Sequence, residues 1–262
     1  YPNYYAAKIA SKHSKVVLSG IGGDEIFGGY PWRYFISEKK IYFEEFIDKY
    51  FKNWQRILNF DELKTLTGLD CEEEIREIFK DKFIKKSSKK LDQSDFINYS
   101  LEFEANTFLS GLLSIEDKIS MSFSLETRVP FLDNDLVDYI QKIPAKNLLM
   151  NINSEVNFDE NTFGNKRELF FKNKDGKKIL RNIFNGILPD FITKNKKLGF
   201  TGPDEAWFRE ANYKIMQDNL NKDEPVFELL DFKYANSLIE EHLGKKKNRR
   251  LMIWSFIQIN QW

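Results

Sequence analysis

The sequence predicts part of an α/β domain, most of it α-helical, and three observations carry that reading. A β-branched run, Val16-Val17-Leu18, leads through Ser19 into a glycine turn, Gly20-Ile21-Gly22-Gly23, and then an acidic pair, Asp24-Glu25. This is the pattern of a buried strand, a tight turn and a helix first turn that favours negative charge. Beyond Tyr30 the apolar residues recur mostly at helical intervals, with few further strand candidates. A parallel sheet needs several strands joined by crossovers of about a dozen residues, yet the chain opens at Tyr1 and its first strand is already Val16–Ser19. The expectation is a piece of a longer protein that begins partway through an α/β domain.

Bulk properties narrow the class. Of 262 residues, 42% are hydrophobic and 31% charged, enough to bury a core; 40 basic against 40 acidic residues give no net field to draw in nucleic acid or an anionic membrane. The single cysteine, Cys71, excludes an internal disulfide framework and fits a reducing, cytoplasmic setting. His13 and His242 lie too far apart for metal-ligand spacing. No apolar run approaches the roughly 20 residues of a membrane span, and no signal peptide is evident.

Taken in order, Tyr4–Ala10 reads as a short helix feeding the Val16 strand. Five glycines between Gly20 and Gly29 let the backbone approach a ligand. The turn into a helix start aims N–H groups of Gly20, Gly22 and Gly23 as a phosphate or adenosine site would. A tight turn with an acidic cap is the bland alternative. Tyr30 to Trp54 predicts two amphipathic helices meeting near Lys39–Lys40. Helical patterns continue over Asp61–Gly68 and Glu72–Lys86, the latter a solvated face, and Lys85–Lys90 is a loop. Ser94–Ser124 predicts one or two core helices, stopped by Pro130; Asp133 starts another, through Ile140, closed by Pro144. Asn151–Glu160 is a polar surface excursion, and Glu168–Phe171 with Asp175-Gly176 a candidate strand and turn. Ile179–Phe184 is helical, Leu188-Pro189 opens a basic loop to Gly199-Phe200, and helices follow to the buried Leu251–Ile259. The basic run Lys245–Arg250 reads as an exposed cationic helix start.

Four ordered blocks carry a resemblance. Ser19-Gly20-Ile21-Gly22-Gly23-Asp24-Glu25-Ile26-Phe27-Gly28-Gly29-Tyr30 is the first. Asp117-Lys118-Ile119-Ser120-Met121 with Ser124-Leu125-Glu126-Thr127-Arg128-Val129-Pro130-Phe131-Leu132-Asp133 is the second. Gly176-Lys177-Lys178-Ile179-Leu180-Arg181 with Leu188-Pro189 is the third, and Lys197-Leu198-Gly199-Phe200 with Pro203 and Trp207 the fourth. Over nearly its whole length the chain resembles the synthetase domain of glutamine-hydrolysing asparagine synthetases. Ordered blocks at family-like spacing are far more specific than any one motif.

The resemblance implies an ATP-pyrophosphatase (PP-loop) fold, here the C-terminal portion of a synthetase domain over 1–262. Residues 1–30 supply the last sheet strand and nucleotide-facing turn, and 31–262 are mainly helical. It implies ATP and Mg²⁺ as cofactors, and a carboxylate substrate, most simply aspartate, adenylated and then amidated by glutamine-derived ammonia. The expected partners are those small molecules and an N-terminal glutaminase domain in the same full-length chain, with a homodimer as a possible assembly and neither nucleic acid nor membrane. Ser19 and Gly20 match positions that contact the adenylate, with Gly22 and Gly23 in the same turn. Asp24 matches the Mg²⁺–pyrophosphate aspartate and Lys197 the pyrophosphate-contacting lysine, so these two are the expected catalytic residues. Glu25 is expected to be structural, Glu126 and Arg128 to form a charged pair that orders a turn, and Arg181 and Trp207 to pack or anchor.

Departures qualify the resemblance. Ile21 stands where many family members carry an acid, Phe108–Leu113 replaces an often acidic segment, and Asn195 replaces an arginine two places before Lys197. The family's Ser-Gly-Gly-x-Asp-Ser segment and its glutaminase cysteine are not in this sequence. The alternatives are amidation of a sugar carboxylate in surface-polysaccharide synthesis and a non-catalytic scaffold or binding domain.

Overall fold

The computed structural model describes residues 2–34, 37, 39–84, 86–149, 162–163, 176–195, 208 and 213–261. The helices are α1 (Pro2–Ala10), α2 (Gly23–Ile26), α3 (Phe43–Trp54), α4 (Phe60–Thr67), α5 (Glu72–Lys80), α6 (Gln93–Phe103) and α7 (Leu109–Met121). There follow α8 (Asn134–Ile140), α9 (Lys178–Ile183), α10 (Asp190–Thr193), α11 (Tyr213–Asn219), α12 (Phe232–Leu243) and α13 (Arg250–Asn260). Two strands, β1 (Val16–Leu18) and β2 (Glu126–Arg128), form a parallel pair in the register Val16↔Glu126, Val17↔Thr127, Leu18↔Arg128. Among the described residues no helix is long and apolar enough to cross a membrane.

Two compact units divide the chain. The first comprises Tyr1–Tyr50, Lys80–Asn157 and Leu169–Phe200, the second Phe51–Phe79, Phe158–Glu168 and Thr201–Trp262.

In the first unit α1 leads to β1, as the sequence predicts, but the strand is not buried: Val16 is 40% and Leu18 75% exposed. Its ladder has one neighbour, β2, so one edge of β1 carries no strand among the described residues. Glu126 and Arg128 form the expected charged pair, but in a different setting. They do not order a turn but lie on β2, both pointing out, with Arg128 Nε 2.8 Å from Glu126 Oε1. Residues i and i+2 of a strand share a face, which is why this pair meets.

The predicted core helices over Ser94–Ser124 form one helical run: α6, a π-helical turn over Glu104–Phe108, and α7. Asp92 caps its start, accepting from the amides of Ser94 and Asp95. The aromatic core of the unit packs between α3 and α6, with Phe46 stacked on Phe96 at 5.7 Å and Phe83 on Phe103 at 5.3 Å. Among the described residues, one α-helix stands between Tyr30 and Trp54 where two are expected. Pro31–Arg33 makes a single 3₁₀ turn, Ile41 then pairs antiparallel with Leu91, and the α-helix begins at Phe43. Asp133 caps α8 as expected. Beyond Pro189 the loop expected to run to Phe200 instead opens with α10.

The second unit has its own core, where Leu66, Met216, Val226, Ala235, Leu238, Ile239, Met252, Ile253, Phe256 and Ile257 interlock. Here the basic run Lys245–Arg250 departs from expectation, since Asn248, Arg249 and Arg250 are buried. Arg249 forks onto Glu62, Nη1 to Oε2 at 3.1 Å and Nη2 to Oε1 at 2.6 Å, and also holds Glu241 Oε2 at 2.7 Å. Two carboxylates compensate the guanidinium, which permits the burial. Burial would raise the Glu62 carboxyl, but hydrogen bonds from Arg249, the Asn59 amide and Lys247 outweigh it and bring it down to about 2. The expected excursion Asn151–Glu160 and the candidate strand Glu168–Phe171 lie outside the described residues.

Candidate active site

The first unit builds its cleft around the glycine turn. The ladder continues one residue past β1, with the Ser19 amide donating to the Arg128 carbonyl at 2.8 Å. The Ser19 hydroxyl then accepts the Ile21 amide at 3.3 Å and turns the chain. Gly22 takes φ 90° and begins α2. A side chain there would be strained by that φ and would overlap Leu132. Beside it Gly23 lies against the ring of Phe131. Both glycines are buried, so the second block packs directly beneath the first.

Glu25, also buried, binds both ends of the loop. Its Oε2 accepts the Gly22 amide at 3.0 Å, and its Oε1 accepts the Tyr30 hydroxyl at 2.8 Å. Burial, reinforced by the negative charges of Asp24 and Glu25, drives the Tyr30 phenol well above its ordinary range. The phenol therefore stays a proton donor. Arg33 sits 4.2 Å from the ring centres of both Tyr30 and Phe108 and reaches Glu104 Oε2 at 3.1 Å. Glu104 is wholly buried on the π-helical turn.

Beside this support opens a cleft of about 660 Å³, lined by Ser19, Gly20, Ile21 and Asp24 together with Leu112, Glu116 and Thr127. Gly20 is open to it, with nothing within 4 Å of the place a side chain would take. Ser19, Gly20 and Asp24 thus share one cleft, and Ile21 lies among them. Gly22 and Gly23 stand behind it, with the Gly22 amide engaged by Glu25. Lys197, with Gly199, Phe200 and Trp207, lies outside the described residues.

One residue of the third block, Lys177, reaches Asp24, and a second, Arg181, braces the backbone beside it. Lys177 Nζ lies 3.0 Å from Asp24 Oδ1, and its amide donates to the Phe27 carbonyl at 3.2 Å. Arg181, expected only to pack or anchor, donates from Nε to the Gly176 carbonyl at 3.1 Å and from Nη1 to the carbonyls of Thr193 at 2.7 Å and Asn195 at 2.9 Å. It ties the Lys177 corner to the segment that runs on toward Lys197. Lys177 was legible only as part of the Gly176–Arg181 block, with nothing in its own spacing to mark a partner. Lys194, beside Asn195, is engaged by Asp190 at 2.7 Å.

A divalent cation held wholly by protein needs several converging oxygens, and among the described residues no group of three His, Cys, Asp or Glu side chains could hold one. Magnesium bound through one carboxylate plus phosphate oxygens and water needs only a carboxylate on the cleft. Asp24, 21% exposed there, fits that second mode.

The sequence profile described as asparagine synthase matches residues 1–262. Asparagine synthetase [glutamine-hydrolyzing] 1 of Bacillus subtilis (strain 168) is 28% identical over 295 aligned residues, covering 100% of this chain and 42% of the relative. Asparagine synthetase [glutamine-hydrolyzing] 3 of the same organism is 30% identical over 234 residues, covering 86% of the chain and 33% of the relative. The chain therefore spans less than half the length of these curated relatives. With a profile match from the first residue to the last, the chain belongs to the asparagine synthase family.

Proposed function

We propose that this chain is part of an ATP-dependent carbon–nitrogen ligase of PP-loop fold that activates a carboxylate, most simply that of aspartate, and converts it to an amide. One observation carries the reading: two blocks far apart in sequence line one cleft, with Ser19, Gly20 and Asp24 facing it, and Lys177 of a third block pairs with Asp24. In the reaction a substrate carboxylate oxygen attacks the α-phosphorus of ATP and the bond to the β-phosphate oxygen breaks, releasing pyrophosphate. Ammonia then attacks the acyl carbon, AMP leaves, and the added nitrogen loses a proton to give the amide. In the whole protein ammonia would come from glutamine through a further domain.

The chain's own groups fit the first half of that sequence. The open backbone at Gly20 and the Ser19 hydroxyl can border the nucleotide. Asp24 would hold magnesium, which neutralises the departing pyrophosphate. Lys197, whose ammonium is a compact point charge, would neutralise charge on the same group. A cytoplasmic setting is part of the proposal.

A specific residue favours a second substrate. Ile21 lines the cleft where an acid is common in the family, and a sec-butyl side chain can neither accept a proton nor hold an ammonium. A sugar carboxylate is the matching alternative to aspartate. The decisive assay is ATP–pyrophosphate exchange by the protein expressed from its full reading frame, with aspartate and with a panel of uronic acids. Exchange with aspartate supports asparagine synthesis, and exchange with a uronic acid alone replaces the substrate while keeping the ligase. Exchange with none of them, in a protein that folds, leaves the scaffold reading.

A further inference from the structure

We infer that Lys177 is a positioning residue for Asp24: its ammonium holds the carboxylate on the cleft in the orientation that receives a magnesium-bound phosphate. The inference rests on the metal-carboxylate reading of Asp24 above. It starts from a backbone outlier. Lys177 has φ 58°, in the left-handed region, immediately before α9. Glycine adopts that conformation without steric cost, whereas a side-chain-bearing residue does not. A lysine retained there points to a use for its side chain, and the side chain ends on Asp24 Oδ1 at 3.0 Å.

The rest of the corner is built to bring the two together. Gly176 lies so close to the first block that a side chain on it would stand 2.7 Å from the Gly28 carbonyl oxygen. Gly29 lies so close to Asp24 that any side chain there would overlap it. The Gly29 amide donates to the Asp24 carbonyl at 2.6 Å, and Arg181 clamps the Gly176 carbonyl. Asp24 is thus held through its backbone by Gly29 and through its carboxylate by Lys177. The pair is neither fully exposed nor sealed, at 30% for Lys177 and 21% for Asp24. A surface ion pair of that kind adds little stability, which leaves orientation as the effect with consequences.

The test is calorimetric titration of inorganic pyrophosphate, at saturating Mg²⁺, into the protein made from its full reading frame. Lys177→Gly removes the side chain while relieving the backbone, so it should melt no lower than wild type yet bind pyrophosphate about tenfold or more weakly, the range for loss of a ligand-orienting partner. Lys177→Met, which keeps the stem and loses only the charge, should show the same loss. Neither substitution should weaken binding further in an Asp24→Asn background. Wild-type affinity in both Lys177 variants overturns the inference, as does a loss that adds in full to that of Asp24→Asn. If the wild type itself binds no magnesium pyrophosphate, the metal role of Asp24 falls and takes this inference with it, an outcome distinct from a Lys177 variant that binds normally.

Discussion

Glu25 shows how one side chain can set a loop's shape. Its two oxygens are spent on the Gly22 amide at the start of the turn and the Tyr30 hydroxyl at the end. Replacement by alanine leaves both donors unsatisfied in a buried place, each costing about 1–3 kcal/mol. Glu25→Ala should therefore lose about 3 kcal/mol of unfolding free energy in urea titration and weaken nucleotide binding as the Gly20–Asp24 turn loosens. A loss under about 0.5 kcal/mol, the range of ordinary surface substitutions, would show that Glu25 does not organise the loop. Glycine matters here for a different reason than the sequence suggests. Gly22 and Gly23 read as ligand-facing backbone, and their glycine character is accounted for by a left-handed φ and by Leu132 and Phe131 packed against them. No local pattern could reveal that, because the packing partners arrive from the second block.

At the scale of elements, the π-helical turn between α6 and α7 places Glu104 inside the first unit. The wider turn carries this acid out of the register it would have in an uninterrupted α-helix, and Arg33 meets it there. Arg33→Met removes the cation and leaves a buried carboxylate, a change that costs about 3–5 kcal/mol. The Arg33→Met, Glu104→Gln double variant should recover much of that loss, and chemical denaturation of the set measures the coupling. In the second unit Arg249 links α4 to α12 through Glu62 and Glu241. Its effect on stability follows from the Glu62 carboxyl, lowered from an ordinary 4.5 to about 2. Because the folded state binds that proton less readily than the unfolded state, the contribution is complete above pH 4.5 and is lost as pH falls toward 2. Urea midpoints should drop across that window, and Glu62→Gln should flatten this part of the profile. The helices themselves were largely legible. Asp133 announces α8 as a capping residue does, whereas the Asp92 cap of α6 emerges only in the structure. β2 was not legible, because Glu126-Thr127-Arg128 has no apolar alternation and is a strand only by virtue of pairing with β1.

For the whole molecule the question is how much of a reaction site 262 residues hold. The chain covers 42% and 33% of the two Bacillus subtilis relatives, and its sequence lacks the Ser-Gly-Gly-x-Asp-Ser segment through which the family's resemblance implies phosphate binding. The expectation is that these residues expressed alone catalyse neither glutamine hydrolysis nor ATP–pyrophosphate exchange, while the product of the full reading frame exchanges. Robust exchange by the 262 residues would show the cleft to be sufficient as it stands.

By itself the sequence determined the helical character, the strand–glycine turn–helix start from Val16 to Ile26, the Asp133 helix start and the four ordered blocks that mark the family. Each of these depends on residues within a turn or two of one another, where φ preferences, hydrogen-bonding caps and apolar periodicity act. Tertiary structure alone decided that β2 exists, that Arg249 is buried on two carboxylates, and that Lys177 stands against Asp24. Those outcomes depend on which distant segments come together. A glycine, a lysine or a short polar run carries no local signal of the partner that gives it its role.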